Sequence, residues 1–203
     1  MSRRKPPGFA PASRSRKRST KKPVGGTFIP PFTLQPPHQE HRGEPVCVGR
    51  YTVLAGGTRD LTDEDLRKAD VIVPLAGNAP FALGRAYKVI GAPMRDFGGV
   101  PTGWRGFLEE IIVPELESGH RLLVFCVGSH GRTGTFLASL IALLESKEET
   151  PDPIAAVRAR HCNKAVETLA QAEAIFAIRG ELLPKIYENE FQFKFGGGFS
   201  LAL

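Results

Sequence analysis

Long apolar runs are missing from this chain. No stretch approaches the roughly 18 consecutive apolar residues of a membrane span, and the basic start is not followed by the apolar core of an export signal. Neither membrane insertion nor Sec-type export is expected. Cysteine is scarce as well: Cys47, Cys126 and Cys162 form no even framework and no paired CxxC spacing, which excludes a disulfide scaffold and fits a reducing, intracellular compartment. Acidic residues are absent before Glu40, whereas the first 22 residues carry nine Lys or Arg. An Arg- and Ser-rich, acid-free start also fits an organelle transit peptide, although its prolines weaken an amphipathic helix.

Residues 1–45 hold nine prolines and few large aliphatic side chains. Such a segment cannot bury enough apolar surface to offset the entropy of ordering it, so a disordered basic arm is expected there. The arm accounts for the net charge of +6, and the rest of the chain is slightly acidic. A cationic arm is a solvated tail, a localisation signal or a contact for nucleic acid.

From about residue 46 the texture changes. With 203 residues, 41% of them hydrophobic, the chain can bury one good core. Short apolar and β-branched runs at Tyr51 to Leu54, Val71 to Leu75, Tyr87 to Ile90 and Leu122 to Val127 alternate with segments of helical period. That rhythm predicts a single α/β domain over 46–187. Helices are predicted near 62–69, 103–117, 133–146, 153–161 and 167–182, with Thr62 and Asp65 as a capping box, Thr102 as a cap, and Pro153 in a first turn after Asp152. Residues 188–203 form a Phe/Gly-rich tail whose alternating Phe191, Phe193 and Phe195 read as strand-like. Internal repeats are absent.

The chemistry concentrates in Arg121-Leu-Leu-Val-Phe-Cys126-Val-Gly-Ser-His-Gly-Arg132-Thr-Gly134-Thr. A buried strand, a glycine-containing loop and a helix opening at Thr133 make a setting in which backbone N–H groups converge on an anion. Gly128 and Gly131 are expected to let the loop curl with its amides inward. Five residues between Cys126 and Arg132, namely Val127, Gly128, Ser129, His130 and Gly131, suffice to wrap a tetrahedral oxyanion. The field that binds phosphate also stabilises a thiolate, so Cys126 is the expected nucleophile. Arg132 offers two parallel donors to phosphoryl oxygens. Protonating the leaving oxygen needs a carboxylic acid on a mobile loop. Asp96 is the only aspartate between Asp70 and Asp152, and it sits in a Gly/Pro-rich stretch. The hydroxyl of Thr133 either bonds the departing thiolate or satisfies the helix start. His130 either faces the substrate or solvent. A metal site from Cys126, His130, His161 and Cys162 is conceivable by residue type, but the adjacent His161-Cys162 pair is unlike usual zinc spacing, and no metal or cofactor is expected.

These residues resemble a known superfamily. Cys126-x5-Arg132-Thr-Gly is similar to the signature of the cysteine-dependent protein tyrosine and dual-specificity phosphatases, and Pro93-Met-Arg-Asp96-Phe-Gly-Gly-Val-Pro101 looks like their general-acid loop. Cys162-Asn-Lys-Ala-Val-Glu167-Thr-Leu-Ala-Gln171 is similar to the segment that positions the hydrolytic water, which assigns Glu167 and Gln171 that role by resemblance. The wording around Gly131 looks most like compact bacterial or phage members. One departure stands out, because the family usually has His immediately before the nucleophile and this chain has Phe125. The resemblance implies a phosphatase fold with a central, mostly parallel sheet flanked by helices, and a two-step reaction through a phosphocysteine. The leading substrate is protein phosphotyrosine, with phosphoserine and phosphothreonine as further substrates. An RNA 5′-phosphatase, which the basic arm would suit, and a phosphatase-like binding module stay open at this level.

Overall fold

The computed structural model describes residues 40–77 and 87–195, with side chains to residue 192. The basic cluster of the arm, as far as residue 39, and the glycine run Gly196 to Gly198 lie outside the described residues. Five strands form one sheet in the order β1-β2-β5-β3-β4, where β1 is Arg42–Val48, β2 Tyr51–Gly57, β3 Val71–Pro74, β4 Lys88–Val89 and β5 Leu122–Cys126. The β1–β2 pair is antiparallel, joined at Gly49 with φ +56°, and every other pairing is parallel. The expected mixed α/β architecture with a mostly parallel sheet is the one observed.

The central strand shows why. All five residues of β5 are buried, as expected of a parallel strand covered on both faces. Leu122, Val124 and Cys126 face the large core, while Leu123 and Phe125 face a smaller cluster with Leu61, Leu66, Ala69 and Ile72. That smaller cluster sits under α1 (Asp63–Leu66), whose Thr62 and Asp65 form the predicted capping box. The other face carries α2 (Trp104–Phe107), a π-helical turn Leu108–Ile112, α3 (Val113–Glu117), α4 (Gly131–Leu144), α5 (Pro153–Arg160) and α6 (Leu169–Ala177). Within that core Trp104 Nε1 donates to Ser139 Oγ at 3.0 Å, which satisfies a buried indole. Asp152 caps α5 through Ile154 N and Ala155 N, both at 2.9 Å, with Pro153 in the first turn.

Three sequence readings need correction. Thr102 does not cap: the residue at the start of α2 is Gly103, with φ +75° and no side-chain cap bond. The first strand begins at Arg42, inside the stretch assigned to the arm, because Val46 and Val48 are wholly buried against the core. The segment from residue 191 is helical, not strand-like, and belongs to α7 (Lys185–Phe195). The buried pair there is Tyr187 and Phe191, one helical turn apart, with ring centroids at 6.4 Å. The helix is further held by Tyr187 donating to Asp152 Oδ2 at 2.7 Å and by a bidentate Arg158–Glu190 pair.

Glu145, at the end of α4, anchors that side of the domain. Burial works to raise its carboxyl, but Arg160, the Thr150 hydroxyl and the Gly49 N–H together outweigh it and hold the group at about 2, against an ordinary 4.5. The folded value is the lower one, so the stabilisation is complete above pH 4.5 and disappears as pH falls towards 2. Discounted for solvent screening, it amounts to about 1–2 kcal/mol. Glu145→Gln should therefore lower the urea midpoint at pH 7 and match the parent near pH 2, where an undiminished difference would show that charge is not the cause.

Candidate active site

The sheet register brings the carboxyl ends of β2 and β5 side by side, with Gly57 opposite Cys126. Thr58 N donates to Cys126 O at 2.9 Å, so the chain after β2 and the loop after β5 leave the sheet together. Ligands of open α/β sheets bind outside such carboxyl ends. The loop from Val127 to His130 then turns into α4, whose first residues are Gly131, Arg132 and Thr133. Twelve of the fourteen residues of α4 are buried, so its N-terminal dipole is directed at the loop from a low-dielectric setting.

The loop glycines act differently from the sequence expectation. The left-handed backbone is at Ser129, φ +59°, and not at Gly128 or Gly131. Ser129 is fully buried, and His161 Nε2 donates to its carbonyl at 2.7 Å. Burial lowers the pKa of His161, and the carbonyl of Ser129 requires the proton on its Nε2 for the bond that braces the loop. At Gly131 a Cβ would stand 2.1 Å from Glu167 Oε2 and would displace that carboxylate from the loop. Gly134 is the position that must stay small, since a Cβ there would meet Ala165 Cβ at 2.7 Å and the backbone at Ala165 Cα and Val166 N, both at 2.9 Å. These two glycines let the segment between α5 and α6 lie against the start of α4, and this places Glu167 at the anion loop.

Arg132 is only 7% exposed. Its Nη2 lies 2.9 Å from Asp96 Oδ1, whose side chain is 61% exposed. Asp96 therefore reaches over the loop, and its carboxylate oxygen holds the donor that a phosphoryl oxygen would take. The turn behind it is tight, with Gly98 N donating to Arg95 O at 3.0 Å and Phe97 at φ +53°. A depression of about 180 Å³ contains Cys126, Arg132, Asp96 and Glu167 among its walls, together with Val127, Gly128, His130 and Gly131. A larger groove of about 650 Å³ near Cys47, Glu145 and Arg160 shares no residue with it, and there the acid and the base neutralise each other.

The remaining predicted site residues lie behind the walls. Thr133 is fully buried, and its Oγ1 has no hydrogen-bond partner among the described residues. Gln171 is fully buried too; its Oε1 accepts from Glu167 N at 2.8 Å, while its Nε2 is unpartnered among the described residues. Sequence reasoning missed Arg59 and Phe97, which also line the depression, and the bracing role of His161. Arg59 had a signal, because it follows the carboxyl end of a strand now seen beside β5. His161 had none, since nothing local ties it to Ser129, 32 residues away.

Phe125, where the resembled family has His, is completely buried on the opposite side of β5 from Cys126, among Leu61, Leu66 and Leu123. An aromatic ring fills that apolar cluster and supplies no proton chemistry to the loop.

No family model matches the chain. Two uncharacterized proteins of Methanocaldococcus jannaschii, MJECL20 and MJ0215, are 34% and 35% identical to it over 83 residues, which is 41% of this chain in both cases. Those residues are 54% and 50% of the two proteins, so the chain spans about half the length of the curated relatives it matches. Among solved structures, Tk-PTP in its active form superposes with a TM-score of 0.53 at 23% identity, over 66% of this chain and 94% of that one. DUSP15 does so with a TM-score of 0.52 at 17% identity, over 72% and 94%. The chain accordingly shares the fold of Tk-PTP and DUSP15, here a five-stranded sheet whose central strand ends on Cys126 before a helix that opens at Gly131.

Proposed function

We propose that the chain is a phosphatase that hydrolyses phosphomonoesters through a phosphocysteine, with protein phosphotyrosine as the leading substrate. The observation that carries this reading is the Arg132–Asp96 contact at 2.9 Å over the loop that starts at Cys126. It joins an anion-binding fork, a carboxyl group and a nucleophile from separate elements in one depression. An incoming phosphoryl group takes the fork from Asp96, which frees the carboxyl for the leaving oxygen.

In the first step the Cys126 thiolate attacks phosphorus, the S–P bond forms, and the P–O bond to the alcohol breaks. Asp96 donates its proton to that oxygen. The loop amides and Arg132 hold the equatorial oxygens. In the second step water attacks phosphorus, Asp96 accepts its proton, and the thiolate departs. The buried hydroxyl of Thr133 is available to that thiolate. Glu167, packed on Gly131 and fixed through Gln171, orients the water. The 58% exposed ring of Phe97 beside the depression offers an aryl leaving group a face to pack on.

Asp96→Ala should lower turnover of a phosphotyrosine peptide by roughly 10²–10⁴-fold with substrate binding kept. The basic limb of the pH–rate profile should vanish with it. A variant profile identical to the parent would assign the acid to another residue. Assaying the purified full chain on phosphotyrosine peptide, phosphoserine peptide and 5′-triphosphorylated RNA side by side tests the substrate. Preference for the RNA would move the assignment to a 5′-phosphatase, for which the cationic arm would serve as the RNA contact.

A further inference from the structure

Behind the anion loop, three segments far apart in sequence bring metal-binding donors to one point. His41 precedes β1, His130 closes the loop from Cys126, and Cys162 follows α5. One ligand atom from each lies within 4.8 Å of the other two. Cys162 Sγ is 3.4 Å from His130 Nδ1, and the rings of His41 and His130 meet edge to face with centroids 5.2 Å apart. His41 and Cys162 are 1% and 2% exposed, whereas His130 is half-buried and reaches the wall of the depression. A buried thiol beside two imidazoles is the donor set that selects zinc over the hard cations, which prefer oxygen. His161 is a neighbour, 4.9 Å from His41 between centroids, but its Nε2 is committed to the Ser129 carbonyl.

We propose that His41, His130 and Cys162 form a zinc site that ties the anion loop to the strand β1 and to the segment carrying Glu167. Zinc bonds of about 2.0–2.1 Å to nitrogen and about 2.3 Å to sulfur place tetrahedral donors roughly 3.3–3.8 Å apart. The observed cluster reaches that spacing by a contraction of about 1 Å, within the range of side-chain rotation. Binding replaces the Cys162 S–H bond by an S–Zn bond and releases one proton to solvent, and both imidazoles bind neutral. Three protein donors leave a fourth position for water. Because His130 is part of the loop that wraps the phosphoryl group, the ion would hold that loop in one arrangement from behind.

The test uses the full chain in a Cys47→Ser background, which removes the exposed thiol. Zinc is titrated against a chromophoric chelator, and cobalt(II) serves as the spectroscopic probe. One equivalent should bind, with a thiolate-to-cobalt charge-transfer band that Cys126→Ser retains and Cys162→Ser loses. His41→Ala should weaken zinc by more than the roughly 10–100-fold that loss of a mere supporting partner costs. Thermal melts in chelator show which variants fold, and Cys162→Ala is the second variant should the serine prove disruptive. Absence of the band in the parent overturns the site whatever the variants do. A band that follows Cys126 places the metal on the nucleophile instead, and unchanged affinity in His41→Ala removes that ligand; either result also refutes the proposal.

Discussion

Cys126→Ser is expected to abolish turnover of an aryl phosphate, a loss on the order of 10⁶, the scale seen when a covalent nucleophile is removed from a working site. Cys126 ends the fully buried strand β5 and is itself buried, so a hydroxyl in its place meets the same backbone and the same walls. What changes is the charge on the attacking atom. A serine hydroxyl needs an adjacent base to become nucleophilic, and of the two carboxyls in the depression Asp96 is paired with Arg132 while Glu167 lies on Gly131. The variant should keep its thermal melt and still bind phosphotyrosine peptide, which makes it a substrate trap. Turnover within tenfold of the parent, with the melt unchanged, would mean that chemistry runs through a different group.

Arg132→Lys should cost on the order of 10³-fold in kcat/KM, comparable to losing an arginine that stabilises phosphoryl transfer. The position is 7% exposed in the first turn of α4, with its guanidinium paired to Asp96. Lysine retains the charge but replaces a planar fork by a point donor that cannot span two phosphoryl oxygens. It would also loosen Asp96, so the acid loses its resting partner. The loss should fall on kcat as well as KM, since the equatorial oxygens gain their full charge only at the transition state. An effect confined to KM would reduce Arg132 to a binding group, and an unchanged rate would mean that the loop does not wrap the phosphoryl group as described.

Several parts of this site were legible before any coordinates. The Cys126 to Gly134 segment is contiguous, and strand, loop and helix start are set by neighbouring residues, so the strand–loop–helix arrangement suited to an anion follows from local backbone chemistry alone. Elimination among the acids and its Gly/Pro-rich surroundings singled out Asp96, which the structure sets against Arg132. The role of the glycines was not. Sequence suggested backbone freedom at Gly128 and Gly131, yet the positive φ falls on Ser129, and the glycine held small by its neighbours is Gly134, against the backbone of Ala165 and Val166. A residue's need to be small depends on what packs against it, and for Gly134 that partner, Ala165, belongs to the separate segment between α5 and α6.

The C-terminal misreading has a similar origin. Alternating phenylalanines fit a strand, and only the packing of Tyr187 between Phe176 and Phe191 shows that a helical turn is the period that buries apolar surface. Phe125 illustrates the opposite limit, since the sequence marked it as a departure but could not say which face of β5 it takes. The alternation of a strand placed it in the small cluster beneath α1, away from Cys126.

The sequence by itself determined the fold class, the buried central strand and the strand, loop and helix start that carry Cys126 and Arg132, because each depends on residues a few positions apart and on periodicities of two and 3.6. Only the tertiary structure decided that Asp96 meets Arg132, that Glu167 lies on Gly131, and that His41, His130 and Cys162 share one point. Those contacts depend on strand order. Placing β5 between β2 and β3 gathers the loops at one edge of the sheet, and no local propensity encodes which distant segments will meet there.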